Sequence, residues 1–259
     1  MRRVFLLCWA LHCASLACAQ VITQPEAPDT LDWQNWTSVS LDWKPVKGLR
    51  LELQEQWRFK ENMGTFDRQF HQLTANWTPQ GHDLLEAQSI GIAGRLMTRQ
   101  DNQGDNQGLE RHFRWHAQYA LQWDPGRWSF SSRVRYQRRK ALWLKDGDDP
   151  SEAPIKSTWR VKATVKHNLR KWKLDPELSV ERFSPVLPDG WPSDQAWRVR
   201  FGTEFKPGKR QRIKLGIQRE WKDRYLPVGV GAGLDDFRFY GNQEWALVVA
   251  YRYRMKTGS

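Results

Sequence analysis

The sequence predicts an all-β fold: an antiparallel transmembrane β-barrel of about twelve strands, with ten as the alternative, behind an N-terminal signal peptide. Three observations carry this expectation. The chain opens on an export signal and has no cysteine after it. Apolar residues then recur at every second position through segments of about ten residues, which suits strands with one face in lipid. Tryptophan, 16 in 259 residues, gathers at the ends of those apolar faces, where a barrel places its interfacial aromatic girdles.

Arg2 and Arg3 supply a positive n-region, Val4 to Leu16 is largely apolar, and Ala17-Cys18-Ala19 has the small-x-small pattern that signal peptidase cuts after. Residues 1–19 are read as the signal, 20–34 as an N-terminal segment and 35–255 as the barrel. A lipid-modified Cys18 would need the leucine one place earlier than Ser15-Leu16-Ala17 sets it. The signal is too short to remain as a spanning helix. Cys8, Cys13 and Cys18 all lie inside it. The mature chain therefore has no disulfide, no thiolate nucleophile and no cysteine metal site.

Composition first reads as that of a water-soluble chain. Hydrophobic residues make up 39% and the formal net charge is +12, or +10 without Arg2 and Arg3. Mean hydropathy is negative. No helix-length apolar run follows the signal, which excludes a helical membrane protein. It does not exclude a barrel, in which only alternate residues meet lipid.

The elements follow in order. Thr37, Val39, Leu41 and Trp43 oppose Trp36, Ser38, Ser40 and Asp42. Leu49, Leu51, Leu53, Trp57 and Phe59 oppose Arg50, Glu52, Gln54, Gln56, Arg58 and Lys60, and only Glu55 breaks the apolar face. Segments 66–78 and 84–99 are less regular, although Leu73, Ala75 and Trp77 keep phase. Phe113, Trp115, Ala117, Tyr119, Leu121 and Trp123 form the clearest face, against His112, Arg114, His116, Gln118 and Gln122. Trp128, Phe130, Val134 and Tyr136 oppose Ser129, Ser131, Arg133, Arg135 and Gln137. Trp159, Val161, Ala163 and Val165 oppose Arg160, Lys162, Thr164 and Lys166. In segment 173–183, Leu174, Leu178 and Val180 keep phase. Trp197, Val199, Phe201 and Phe205 then oppose Arg198, Arg200, Glu204 and Lys206. Ile213, Leu215, Ile217 and Trp221 oppose Arg212, Lys214, Gln218 and Glu220. Trp245, Leu247, Val249, Tyr251 and Tyr253 oppose Glu244, Arg252 and Arg254.

Connections alternate in length. Short ones fall at Pro45–Gly48, Pro79–Asp83, Asp124–Arg127, Arg170–Trp172 and Pro207–Arg210, and long ones near 100–109, 145–156, 184–195 and 224–239. Short periplasmic turns and long external loops give this pattern. Eleven strands are visible by pattern, while single-chain bacterial barrels usually have an even number. A further element within residues 21–34, crossing as a strand or inside the lumen, would bring the count to twelve. The tandem DNQG-DNQG of 101–108 and the GVGAG run of 229–233 are read as loop segments.

The succession ELQEQWRF (52–59), RVRYQRR (133–139), PELSVERFSP (176–185), WRVRFGTEF (197–205) and IKLGIQREW (213–221) resembles the bacterial family catalogued as domain of unknown function 2490. The resemblance spans most of the mature chain. It implies an outer-membrane barrel and no established activity.

The inward faces are expected to carry Arg50, Arg58, Arg114, Arg133, Arg135, Arg160, Arg198, Arg200, Arg212, Arg252 and Arg254, together with Lys162, Lys166 and Lys214. Their acidic partners are expected to be Glu52, Glu110, Glu177, Glu181, Glu204, Glu220 and Glu244. Two readings stay open. Charges of both signs can fill a narrow lumen and close it. Alternatively, unpaired positive charge attracts anions and rejects cations, which makes a small anion-preferring channel.

No enzymatic activity, cofactor or metal is expected. His112 and His116 share a face but stand roughly 13 Å apart, too far for one metal. Neither a G-x-S-x-G elbow nor an H-E-x-x-H motif occurs. A distant third reading is a lipid-modifying hydrolase assembled across strands from Ser129 or Ser131 and His116. Basic residues are spread along the chain without a patch, so nucleic acid is not expected as a partner. The expected partners are the lipid bilayer, lipopolysaccharide phosphates and the outer-membrane assembly machinery, with the barrel a monomer.

Overall fold

The computed structural model describes residues 32–79, 87–101, 108–144, 149–151, 153, 155–170, 174–186, 195–227 and 237–255. Residues 1–31, which include the segment read as a signal, most of the DNQG tandem and the GVGAG run lie outside the described residues. Among the described residues, eleven strands form one closed barrel. They are β1 (Asp32–Trp43), β2 (Leu49–Lys60), β3 (Thr65–Trp77), β4 (Ala87–Asp101), β5 (Gly108–Trp123), β6 (Trp128–Trp143), β7 (Lys156–His167), β8 (Leu174–Val186), β9 (Ala196–Gly208), β10 (Gln211–Pro227) and β11 (Phe237–Arg254).

Each strand pairs antiparallel with its successor, and β11 closes the barrel by pairing parallel with β1. Eleven alternating strands leave the first and last pointing the same way, so one seam has to be parallel. The count of eleven falls between the expected twelve and its alternative of ten. The eleven strands visible by pattern close on themselves, with Asp32↔Glu244 through Asp42↔Arg254 in register, and no further strand sits between β1 and β11.

Side chains sort by parity, and the barrel is inside-out. Leu53, Leu73, Ile90, Ile92, Trp159, Val161, Leu178 and Phe201 are among the exposed large hydrophobics, all on outward faces. The buried set is mostly polar and includes Gln34, Ser38, Asp42, Gln72, Arg95, His116, Arg135, Glu181 and Glu220. A water-soluble fold buries the opposite set. Aromatics band the outer face at two levels. Trp43, Trp77, Trp123 and Trp128 stand at the end with the short turns. At the other level Trp33 stacks on Trp245 (5.7 Å), Trp115 meets Tyr136 (5.8 Å) and Tyr136 meets Trp159 (4.9 Å). Eight to ten residues separate the two bands along β1, β5 and β6. With tilted strands rising about 3.4 Å per residue, the apolar band is about 20–26 Å tall, the height of an outer-membrane barrel's lipid-facing zone.

Turns and close backbone contacts explain local sequence. Gly48 and Gly126 hold φ values of 86° and 63°, left-handed conformations that glycine adopts without Cβ strain, in the β1–β2 and β5–β6 turns. Glu61, Asn62 and Met63 hold the same region without glycine in the β2–β3 link, where the Asn62 amide donates to Asp32 Oδ1 (3.0 Å). Gly202 and Gly216 face each other across β9 and β10, and a Cβ on either would sit 2.6 or 2.8 Å from a neighbouring carbonyl oxygen.

The seam is latched near the short-turn end. Asp42 is fully buried, accepts a bond from Arg50 Nε on β2 (2.7 Å) and faces Arg254 on β11 (3.8 Å). The Met255 amide donates to the Asp42 carbonyl (2.8 Å), and Arg252 reaches Glu52 (3.3 Å).

A candidate anion-binding lumen

Inward parity turns alternate residues of every strand onto one cavity of about 1010 Å³. It reaches from Lys44, Gly48, Thr78 and Gln122 near the short turns, past a layer holding Trp36, Phe70 and Phe183, to Gln34, Lys222 and Glu244. Asp32, Lys60, Glu110 and His112, nearer the other end, do not line it.

The two sides of this lumen differ. From β7 to β11 most of the cations are paired, although Lys162 and Arg200 also line the cavity and form no ion pair among the described residues. Glu181 receives Arg160 (2.8 Å), Arg133 (3.1 Å) and Arg198 (3.3 Å), and Arg198 also donates to Glu220 (2.8 Å). Glu177 binds Lys214 (2.6 Å), Glu204 binds Lys166 and Arg212 (both 3.1 Å), and Glu244 binds Lys222 (2.6 Å).

The arc from β2 to β6 is different. Arg58, Arg95, Arg114, Arg135 and Arg139 all line the cavity, and none forms an ion pair with a carboxylate among the described residues. Their partners are neutral. Arg95 donates to the Gln72 amide oxygen (2.6 Å), and Arg135 donates to that of Gln118 (2.7 Å). Arg58 lies over the ring of Trp36 (3.5 Å), and Arg58 and Arg95 both flank Phe70 (4.8 and 4.6 Å), placing cations against the negative faces of the rings. The buried Nε atoms of Arg58 and Arg114 have no hydrogen-bond partner among the described residues.

Register sharpens the imbalance. Arg58 stands opposite Arg68, Arg95 opposite Arg114, Arg114 opposite Arg139, and Arg135 opposite Arg160. Directly opposed like charges disfavour a sheet, and low-dielectric surroundings strengthen the repulsion. Arg68 has Asp67 and Arg160 has Glu181, but among the described residues no member of the row Arg95–Arg114–Arg139 on three adjacent strands forms an ion pair with a carboxylate. Chemically, this wall is a set of planar guanidinium forks suited to an oxyanion.

Most residues read from the sequence as lumen residues line the cavity: Arg50, Arg58, Arg114, Arg133, Arg135, Arg160, Lys162, Arg198, Arg200, Lys214 and Arg252, with Glu52, Glu177, Glu181, Glu220 and Glu244. Arg212, Arg254, Lys166, Glu110 and Glu204 lie off it; Glu204 is buried under its cations and Glu110 bonds His112 (3.2 Å). Sequence reading missed Arg68, Arg95 and Arg139. Their parity was available: Leu73, Ala75 and Trp77 put even positions of β3 inward, Ile90, Ile92 and Leu96 put odd positions of β4 inward, and Arg139 continues the phase of Arg133 and Arg135.

Glu55, the break in the outward face of β2, is partnered there. His71 Nδ1 lies 2.6 Å from one of its oxygens, and Gln69 donates to the other (2.6 Å). His116 is fully buried and stands opposite Gln137. Ser131 and Ser129 lie six and eight residues along β6 from Gln137, about 20 and 27 Å away at strand rise, so no serine–histidine pair forms there. Among the described residues no group of three or more His, Cys, Asp or Glu is placed to hold a metal.

The family model described as protein of unknown function, DUF2490, matches residues 33–225, from β1 into β10. The chain belongs to that family. This DUF2490 member is also similar to a solved structure, the outer-membrane expressed OmpT of Vibrio cholerae, at 7% identity and a TM-score of 0.40, covering 76% of this chain and 62% of that one. The DUF2490 chain thus spans less than two thirds of that protein's length. No curated protein matches it.

Proposed function

We propose that this chain is an outer-membrane barrel whose lumen passes small anions in preference to cations. The apolar outward faces and the two aromatic bands support the membrane reading. The observation that carries anion preference is the arc from β2 to β6, where five cavity-lining arginines have no ion-pairing carboxylate among the described residues. Fixed positive charge in a narrow, low-dielectric passage concentrates anions and repels cations.

One observation favours the alternative, a closed barrel. The Arg198 guanidinium lies between Trp36 (5.0 Å) and Phe183 (4.6 Å), so side chains narrow the lumen at that layer. On the outer surface, Arg111, Arg138, Lys140 and Arg182 are exposed near the long-loop end. We propose that they meet lipopolysaccharide phosphates once the assembly machinery has inserted the monomer.

Current across a planar bilayer under a tenfold potassium chloride gradient separates the two readings. A reversal potential of the sign set by chloride is expected, moving toward zero in the Arg95→Gln/Arg114→Gln double variant. Silence from demonstrably folded barrels supports closure instead, and a cation-selective current contradicts the proposal.

A further inference from the structure

We infer that the β4–β6 wall is a discrete site for a multiply charged phosphoryl oxyanion, held by Arg95, Arg114, Arg135 and Arg139. The inference rests on the reading that the lumen takes anions, and it names which ones. Arg95, Arg114 and Arg139 occupy one cross-strand row, each directly opposite the next. Neighbouring Cβ atoms in such a row stand about 5 Å apart, so the three forks can converge on one group. All four side chains line the cavity, and Arg95 and Arg135 are each 8% exposed.

The wall is built to be completed by a ligand. Arg114 is repelled by Arg95, Arg160, Arg139 and Arg68, and its buried Nε has no partner. Gln72 and Gln118 orient Arg95 and Arg135 without neutralising them. Gln118 is itself tied to Asn76 (2.8 Å), so the supporting layer is fixed before any ligand arrives. A halide carries one charge and no directional acceptors. A phosphoryl group carries two charges and three oxygens, which match guanidinium forks bidentately. The cavity, about 1010 Å³, has room for an organic phosphate ester as well as for an inorganic ion.

The test uses the folded mature barrel in detergent, with thermal unfolding followed against sodium pyrophosphate, glycerol phosphate and sodium chloride at matched ionic strength. Pyrophosphate or glycerol phosphate should raise Tm saturably, well beyond chloride; the tighter of the two identifies an inorganic or an ester source. Arg114→Gln should weaken that binding at least tenfold while raising Tm in the absence of oxyanion, because it removes repulsion. A merely structural arginine would lower Tm. If Arg114→Gln does not fold, Arg95→Gln carries the same expectation. Equal responses to pyrophosphate, glycerol phosphate and chloride overturn the inference, as does unchanged oxyanion binding in the folded variant. Bilayer current keeps the two claims apart: anion selectivity without saturable binding removes only the site, and saturable binding without selectivity removes only the passage.

Discussion

Asp42 and Arg114 show how differently a single buried charge can be handled in this lumen. Asp42 is enclosed between Arg50 and Arg254 and ties β1 to both of its neighbours. Asp42→Ala should destabilise the barrel by about 1–3 kcal/mol, since two arginines lose their shared acceptor, one of them at hydrogen-bond distance. Urea titration of the folded form checks this, and an unchanged midpoint would remove the latch. Arg114 has the reverse problem, with arginines on both sides and no carboxylate. The inward placement of both residues was legible in the sequence from parity alone. Their partners were not, because pairing depends on the register between strands. Nothing local to Arg114 announces that Arg95 and Arg139 will stand opposite it, and Arg95 sits in a strand whose Gly91, Ala93 and Gly94 blur the alternation.

At the scale of elements, the outward faces were the most legible part, because lipid demands an apolar side chain at every second position. Leu178 and Phe201 are paired across β8 and β9 and are well exposed. Replacing either with arginine should cost about 2–4 kcal/mol of folding in lipid, where a water-facing site would tolerate it. Folding yield into vesicles measures this, and full yield would place these faces in water. The Gly202–Gly216 contact was not legible, because glycine in a strand names no neighbour. Gly216→Val should destabilise β9–β10 pairing by about 1–3 kcal/mol, since its Cβ would press on the Phe201 carbonyl. Denaturant unfolding of that variant at wild-type stability would argue that the strands separate freely.

At the scale of the whole molecule, eleven strands and a parallel seam set the architecture. The strand pattern was readable, but closure was not: parity arguments favour an even number, and only tertiary pairing reveals that β1 and β11 meet. Ser38 and Ala250 are inward register partners across that seam. Residues 20–259 hold no cysteine, so in that segment Ser38→Cys with Ala250→Cys should crosslink cleanly. An inserted twelfth strand would hold them about 10 Å apart, beyond disulfide reach. The central claim is that this closed, inside-out barrel presents net positive potential to whatever enters it. The most direct measurement places one cysteine at Ser131, a cavity-lining position on β6, and compares its rates with anionic and cationic thiol reagents of equal size. An anionic-to-cationic rate ratio at least tenfold above that of a free thiol is the predicted result; a ratio at or below the free-thiol value would contradict the account.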